Sequence, residues 1–240
     1  MRDMIASTLR QQVLQANLQL PASGLVCLTW GNVSGYDPSS GLMAIKPSGV
    51  DYHALRLEDL VILEVATGRQ VEGTLRPSSD TPTHLVLYRN FPGISGICHT
   101  HSPSATMYAQ AGLPLPCYGT THADHFHGTV PLCRALTPEE TAAGYEENTG
   151  HAIVETFQQL QLDSIHTPGV LQLHHAPFTW GTSPADALNN SIALEMCARM
   201  ALGSLQINPQ LQPLPSHILD KHHLRKHGPG AYYGQSTSQH

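Results

Sequence analysis

A three-layer α/β/α domain, with helices on both faces of a mixed sheet, is what this sequence predicts. Two patterns carry the prediction. Strand-like apolar runs alternate with stretches of helical periodicity along the whole chain, the order from which α/β layers are built. Within that order, residues 60–65 and 70–72 read as a hairpin around Thr67-Gly68, and hairpin strands are antiparallel neighbours. A sheet that contains such a pair is mixed rather than purely parallel. With 240 residues, 40% of them hydrophobic, the chain can bury a large core, and no break in composition divides it. Residues 1–240 therefore read as a single domain, with 228–240 as a glycine-containing C-terminal tail.

Each element has its own signal. Ile5, Leu9, Val13 and Leu14 alternate with Arg10, Gln11 and Gln12 at helical spacing, unlike the continuous apolar core of a signal peptide. Residues 26–30 read as a strand followed by a turn at 31–34, and residues 42–45 as a second strand leading into Lys46-Pro47-Ser48-Gly49. Thr83, Leu85, Val86 and Leu87 mark a helix over 81–90, with Asp80 in the N-cap position. Residues 95–98 form a buried strand, and 104–111 a short helix stopped by Leu113-Pro114-Leu115-Pro116. A loop at 119–127 holds His122, Asp124, His125 and His127. Thr137-Pro138-Glu139-Glu140 starts a helix that runs to about 161, with Glu146 and Glu155 read as solvated carboxylates. Strands at 169–173 and 178–181 precede a helix capped by Ser183 and running to about 202. After Pro209, Pro213 and Pro215, a last helix covers 217–227.

Charge and cysteine usage narrow the function. A net charge of −6 without a basic run leaves no face for nucleic acid and points to a small-molecule partner. Five cysteines, odd in number and widely spaced, do not make a disulfide framework. Without a signal peptide or membrane span, the expected location is cytoplasmic.

The densest chemistry lies between Pro77 and His101. Residues two apart on a strand face the same side, so His99 and His101 offer two imidazoles to one metal ion. A catalytic site needs about three protein ligands and an open position. Asp80 supplies a carboxylate, although at this position it serves equally well as a helix cap. One further imidazole comes from His174 or His175. Three small-residue turns, at Gly31-Asn32, at Ser48-Gly49 after Lys46, and at Ser78-Ser79, suit a phosphate, because small residues let backbone amides approach an anion.

Taken in order, TWGNVS (29–34), IKPSGVD (45–51), RPSSDTPTH (76–84), ICHTHS (97–102), GTTHADHF (119–126) and LDKHHLRKHG (219–228) resemble the class II aldolase and ribulose-phosphate epimerase family over nearly the whole chain. The resemblance implies a largely antiparallel central sheet and a homotetramer with active sites at subunit interfaces. It implies one divalent metal ion per subunit, most readily zinc, on Asp80, His99, His101 and His175. The family's H-[GA]-P-F ending is what selects His175 over His174, with Ala176 where relatives more often carry Gly. Gly31, Asn32, Lys46, Ser48, Gly49, Ser78 and Ser79 become the phosphate and substrate contacts. Asp124 takes the role of catalytic acid/base. Tyr233 becomes its counterpart from a neighbouring subunit's tail, with His222 in support.

The implied reaction is epimerisation at C4, interconverting L-ribulose 5-phosphate and D-xylulose 5-phosphate by retro-aldol cleavage, rotation of the aldehyde and re-addition. A class II aldolase of the L-fuculose-1-phosphate type is the nearest alternative, but such aldolases usually carry Glu where this chain has Asp80. A non-catalytic, adducin-like interaction domain is the other, and loss of metal ligands would mark it. The TPTH after Asp80 and the THADHF motif favour the epimerase.

Overall fold

The computed structural model describes residues 2–228 and 230–232, with side chains from residue 7 onward. Its strands are β1 (Asn32–Asp37), β2 (Leu42–Ile45), β3 (Val61–Glu64), β4 (Gln70–Glu72), β5 (Gly96–His99), β6 (Leu132–Cys133), β7 (Gly169–Gln172) and β8 (Pro177–Gly181). They form one sheet in the order β4-β3-β2-β1-β5-β8-β7-β6. Every pairing is antiparallel except that of β6 with β7, so the sheet is mixed and largely antiparallel, as predicted.

The helices are α1 (Arg2–Ser23), α2 (Thr81–Asn90), α3 (Pro103–Ala111), α4 (Thr120–Ala123), α5 (Pro138–Gln159), α6 (Pro184–Ile207) and α7 (Ser216–His227). Period-two alternation divides the core between the sheet's faces. Met43, Ile45, Val61, Leu63, Ile97 and Trp180 pack with Leu85, Val86 and Tyr88 of α2 and Ile153 and Phe157 of α5. Their sequence neighbours Leu42, Ala44 and Ile62 face the other way, against Leu9 and Val13 of α1. Val33 and Cys98 share that side with Ala187 and Leu188 of α6.

Four elements differ from expectation. Residues 26–30 are not a strand: the chain turns there, with the Trp30 amide donating to the Cys27 carbonyl at 3.1 Å, and pairing begins at Asn32. β-propensity alone did not place the strand, because its ladder partners lie at 42–45 and 96–99 and oppose 32–37. The two-residue β6 carries too little pattern to read, and the 119–127 loop contains the single-turn α4. Helix α6 continues to Ile207, and the Ile5 side chain lies outside the described residues.

Burial also sets an acid limit on stability. It pushes His84 down to about 3, and His122 and His223 to about 4. The ordinary imidazole value is about 6.5, so these neutral rings cost nothing above it. Stability is lost as pH falls from about 6.5 toward 4, where the unfolded chain takes up protons that the folded chain refuses. The thermal unfolding midpoint should therefore fall between pH 7 and pH 5, and His223→Asn should flatten that slope. Equal slopes in the two proteins would remove His223 from this account.

Candidate active site

Strand β5 delivers the first imidazole. His99 shares a face with Ile97, sits opposite Phe178 of β8, and stacks on that ring at 4.1 Å between centroids. His101 lies two residues beyond, past the end of β5. The third ring comes from the β7–β8 turn, where His174 adopts a left-handed φ of 64° and points to solvent while His175 turns inward. A turn, rather than the alternation of a strand, sets these two histidines apart. The centroids of His99, His101 and His175 lie 4.9–5.0 Å apart, and a ligand atom from each falls within 4.8 Å of the others.

Asp80 lines the same cavity. It occupies the cap position of α2 without a capping bond; its Oδ2 accepts from Asn32 Nδ2 at 2.7 Å instead. Burial pushes its carboxyl up, but His99, His84 and the Asn32 hydrogen bond more than offset this and hold it below the usual carboxylate range. Burial drives His175 down to about 4 and also lowers His101, so both are neutral near pH 7 with lone pairs to give. His99 Nδ1 donates to the Pro177 carbonyl at 2.9 Å, leaving Nε2 as its ligand atom. The buried Nδ1 of His175 has no partner among the described residues. Two neutral imidazoles, a third with its Nε2 free, and an ionised carboxylate on one cavity fit a borderline divalent cation.

This cavity, about 390 Å³, is also lined by Gly31, Asn32, Lys46, Ser48, Gly49, Ser78 and Ser79. Two of the turns are tied together: Ser48 N donates to Arg76 O and Ser78 N to Lys46 O, each at 3.0 Å. Those two amides are thus already used within the fold. Positive charge in the lining comes from Lys46. It is 2% exposed, its ammonium lies 4.9 Å above the Tyr52 ring, and no carboxylate among the described residues is within ion-pair distance. Burial lowers its pKa, with Asp51 opposing. A buried cation without an adjacent anion is costly, and a phosphate would relieve it.

Two features fix the backbone beside the cavity. Gly31 has a φ of 86°, and a Cβ there would stand 2.8 Å from the His99 carbonyl. Beyond the end of β2, the buried Asn17 of α1 takes the place of a strand, accepting from Val33 N at 2.9 Å and donating to Val33 O at 2.8 Å.

Asp124 and His222 lie elsewhere in the chain. Arg225 grips Asp124 through Nε at 3.0 Å and an η nitrogen at 2.6 Å, and His222 Nδ1 stands 3.3 Å away. Burial raises this carboxyl, but Arg225 and His222 more than offset it and hold it low. Asp124 lines a second cavity with His125, Lys226 and His227, not the three-histidine cavity. Tyr233 lies outside the described residues.

Sequence reading missed Trp30, Tyr145 and Glu146, which line the three-histidine cavity. Glu146 had been read as solvated. The available signal was Gly144, a breaker inside a helical pattern: α5 leaves helical geometry there, at φ 165° and ψ 89°, and turns the next two residues toward the site.

Three histidines that can share one ion, with a carboxylate and a buried lysine lining the same cavity under a mixed sheet, make up the chemistry of a metal-dependent site. Residues 11–202 match the class II aldolase and adducin N-terminal domain family, and the chain belongs to that family. It is 50% identical over 227 residues to L-ribulose-5-phosphate 4-epimerase UlaF of Salmonella paratyphi B, covering 95% of this chain and 98% of that one. The UlaF protein of Salmonella typhi matches to the same extent. Among solved structures, an L-fuculose 1-phosphate aldolase superposes with a TM-score of 0.75 at 26% identity, covering 90% of this chain and 94% of the other. YgbL of Escherichia coli, a putative aldolase/epimerase/decarboxylase, shares the fold with a TM-score of 0.72 at 22% identity, covering 90% and 98%.

Proposed function

We propose that this chain is an L-ribulose-5-phosphate 4-epimerase, a cytoplasmic homotetramer whose residues 1–240 act as one unit. The observation that carries the reading is the 50% identity to epimerases across 95% of the chain. The aldolase alternative rests on a structural likeness at 26% identity. The three-histidine group speaks against a non-catalytic, adducin-like role.

The reaction begins when a base takes the proton from the C4 hydroxyl. The C3–C4 bond breaks and its electron pair passes through C3 to the C2 carbonyl oxygen, giving the enediolate of dihydroxyacetone. Because the phosphate is on C5, the other fragment is glycolaldehyde phosphate. That aldehyde rotates, C3 attacks its opposite face, and the new C4 alkoxide takes a proton. A divalent cation, zinc in this reading, held by Asp80, His99, His101 and His175, would supply Lewis-acid stabilisation of the charge that develops on the substrate oxygens. Asn32 holds the Asp80 carboxylate in place.

Lys46, with Ser48, Gly49, Ser78, Ser79, Gly31 and Asn32 around it, binds the phosphate and so keeps the aldehyde fragment from leaving while it rotates. Asp124, kept ionised by Arg225 and steadied by His222, is in the right state to accept a proton. It does not line its own subunit's three-histidine cavity, so in this reading it serves a neighbour's. Tyr233 is the second proton carrier, and since a phenol has a pKa of about 10 it needs positive charge close by.

Incubated with L-ribulose 5-phosphate, the metal-loaded protein should form D-xylulose 5-phosphate without accumulating free aldehyde. Cleavage of L-fuculose 1-phosphate without epimerisation would replace this reading with the aldolase. Lys46→Met should raise KM for the phosphorylated sugar about 10- to 100-fold, the worth of a charge-assisted hydrogen bond. Equal weakening for unphosphorylated L-ribulose would move the phosphate elsewhere.

A further inference from the structure

Trp30 is 52% exposed and lines the three-histidine cavity, its ring centroid 6.1 Å from that of His101. The backbone that carries it is held firmly. Leu28 takes a left-handed φ of 53°, the Trp30 amide closes a turn onto Cys27, and the Tyr52 hydroxyl lies 2.8 Å from the Trp30 carbonyl and 2.7 Å from that of Gly31. Gly31 cannot take a side chain without meeting the His99 carbonyl. A strained, pinned turn that leaves a large indole half in solvent has a reason to do so. The indole Nε1–H also has no acceptor among the described residues, whereas that of Trp180, the other tryptophan, donates to Ser164 O at 2.7 Å in the core.

We infer that the Trp30 indole is a substrate-binding wall of this cavity, packing its face against the C–H side of the sugar chain while Lys46 holds the phosphate. The inference rests on the sugar-phosphate reading of the cavity and adds a contact that orients the carbon chain beside the histidines. An indole suits that task. Its flat apolar face matches a row of C–H groups and its N–H can meet a hydroxyl. Tyr145, with its ring 5.9 Å from that of His175, lines the same cavity and makes a second candidate ring, which serves as the comparison.

Intrinsic fluorescence separates the two tryptophans, because Trp180 is 0% exposed and Trp30 is open to solvent. The full-length protein, titrated with L-ribulose 5-phosphate and separately with L-fuculose 1-phosphate, should change its emission with the sugar that it converts. Trp30→Phe should abolish that change while keeping KM within about threefold, since a second aromatic face preserves the packing. Trp30→Ala should raise KM about tenfold with kcat nearly unchanged, the pattern for a contact made equally in the ground and transition states. The inference is overturned if the emission change persists in Trp30→Phe, or if the wild type converts a sugar with no emission change. It also falls if Trp30→Ala alters only the oligomer size in light scattering, which would make Trp30 a subunit contact. Conversion of L-fuculose 1-phosphate alone would defeat the epimerase reading and leave the Trp30 wall standing.

Discussion

His99→Ala is expected to lose bound metal and to lower epimerase activity about a thousandfold or more, the several kcal/mol that Lewis-acid stabilisation of an enediolate supplies. His99 offers Nε2 to the cavity because its Nδ1 is committed to the Pro177 carbonyl, and its stacking on Phe178 fixes the ring. Chelator treatment of the wild type should reproduce the loss, and added zinc should reverse it. The same addition should not rescue the variant. Metal analysis checks the cause directly: a His99→Ala protein that retains one metal per subunit and activity within about tenfold of wild type would remove this residue from the metal site.

Asp124→Asn is expected to lower activity by about a hundredfold to ten-thousandfold, the usual worth of a general acid or base, with metal content unchanged. Its arrangement makes a sharper test possible. Asp124 does not line the three-histidine cavity of the same chain, so under the proposed shared site the pair meets across an interface. Two inactive proteins, His99→Ala and Asp124→Asn, should therefore complement each other when mixed as subunits. In a ring where each site draws on two neighbours, random equal mixing leaves about a quarter of sites with both groups intact. Hybrids that form and recover nothing would place metal and proton carrier on one chain. Tyr233→Phe, assayed beside them, should lower activity to a similar degree, and no loss would remove it as the second carrier.

The parts of this protein legible in its sequence were those that depend on neighbours along the chain. The spacing of Leu9 and Val13 marked α1, and the apolar runs at 42–45 and 60–65 marked β2 and β3. Thr137 and Glu140 announced the start of α5, and they form the reciprocal cap in the structure. The pair His99 and His101, Lys46 and the small-residue turns around it also stood out as chemistry. Family resemblance supplied what spacing could not, notably His175 over His174 and a role for Asp124.

Other features were decided only when distant segments met. β1 lies at 32–37 rather than 26–30 because β2 and β5 oppose it there, and a strand's position is settled by its ladder partners. Asp80 could have been a cap or a ligand group; the Asn32 amide, brought beside it by the fold, turns its carboxylate into the cavity. Glu146 lines the cavity, half-buried, because Gly144 bends α5 toward it. Arg225 took hold of Asp124, 101 residues earlier, because α7 packs on α4. Residue spacing determines which side chains share a strand or a helix face, a matter of local geometry. Which faces then confront each other across a cavity, and with what charge, is a property of packing that only the tertiary structure holds.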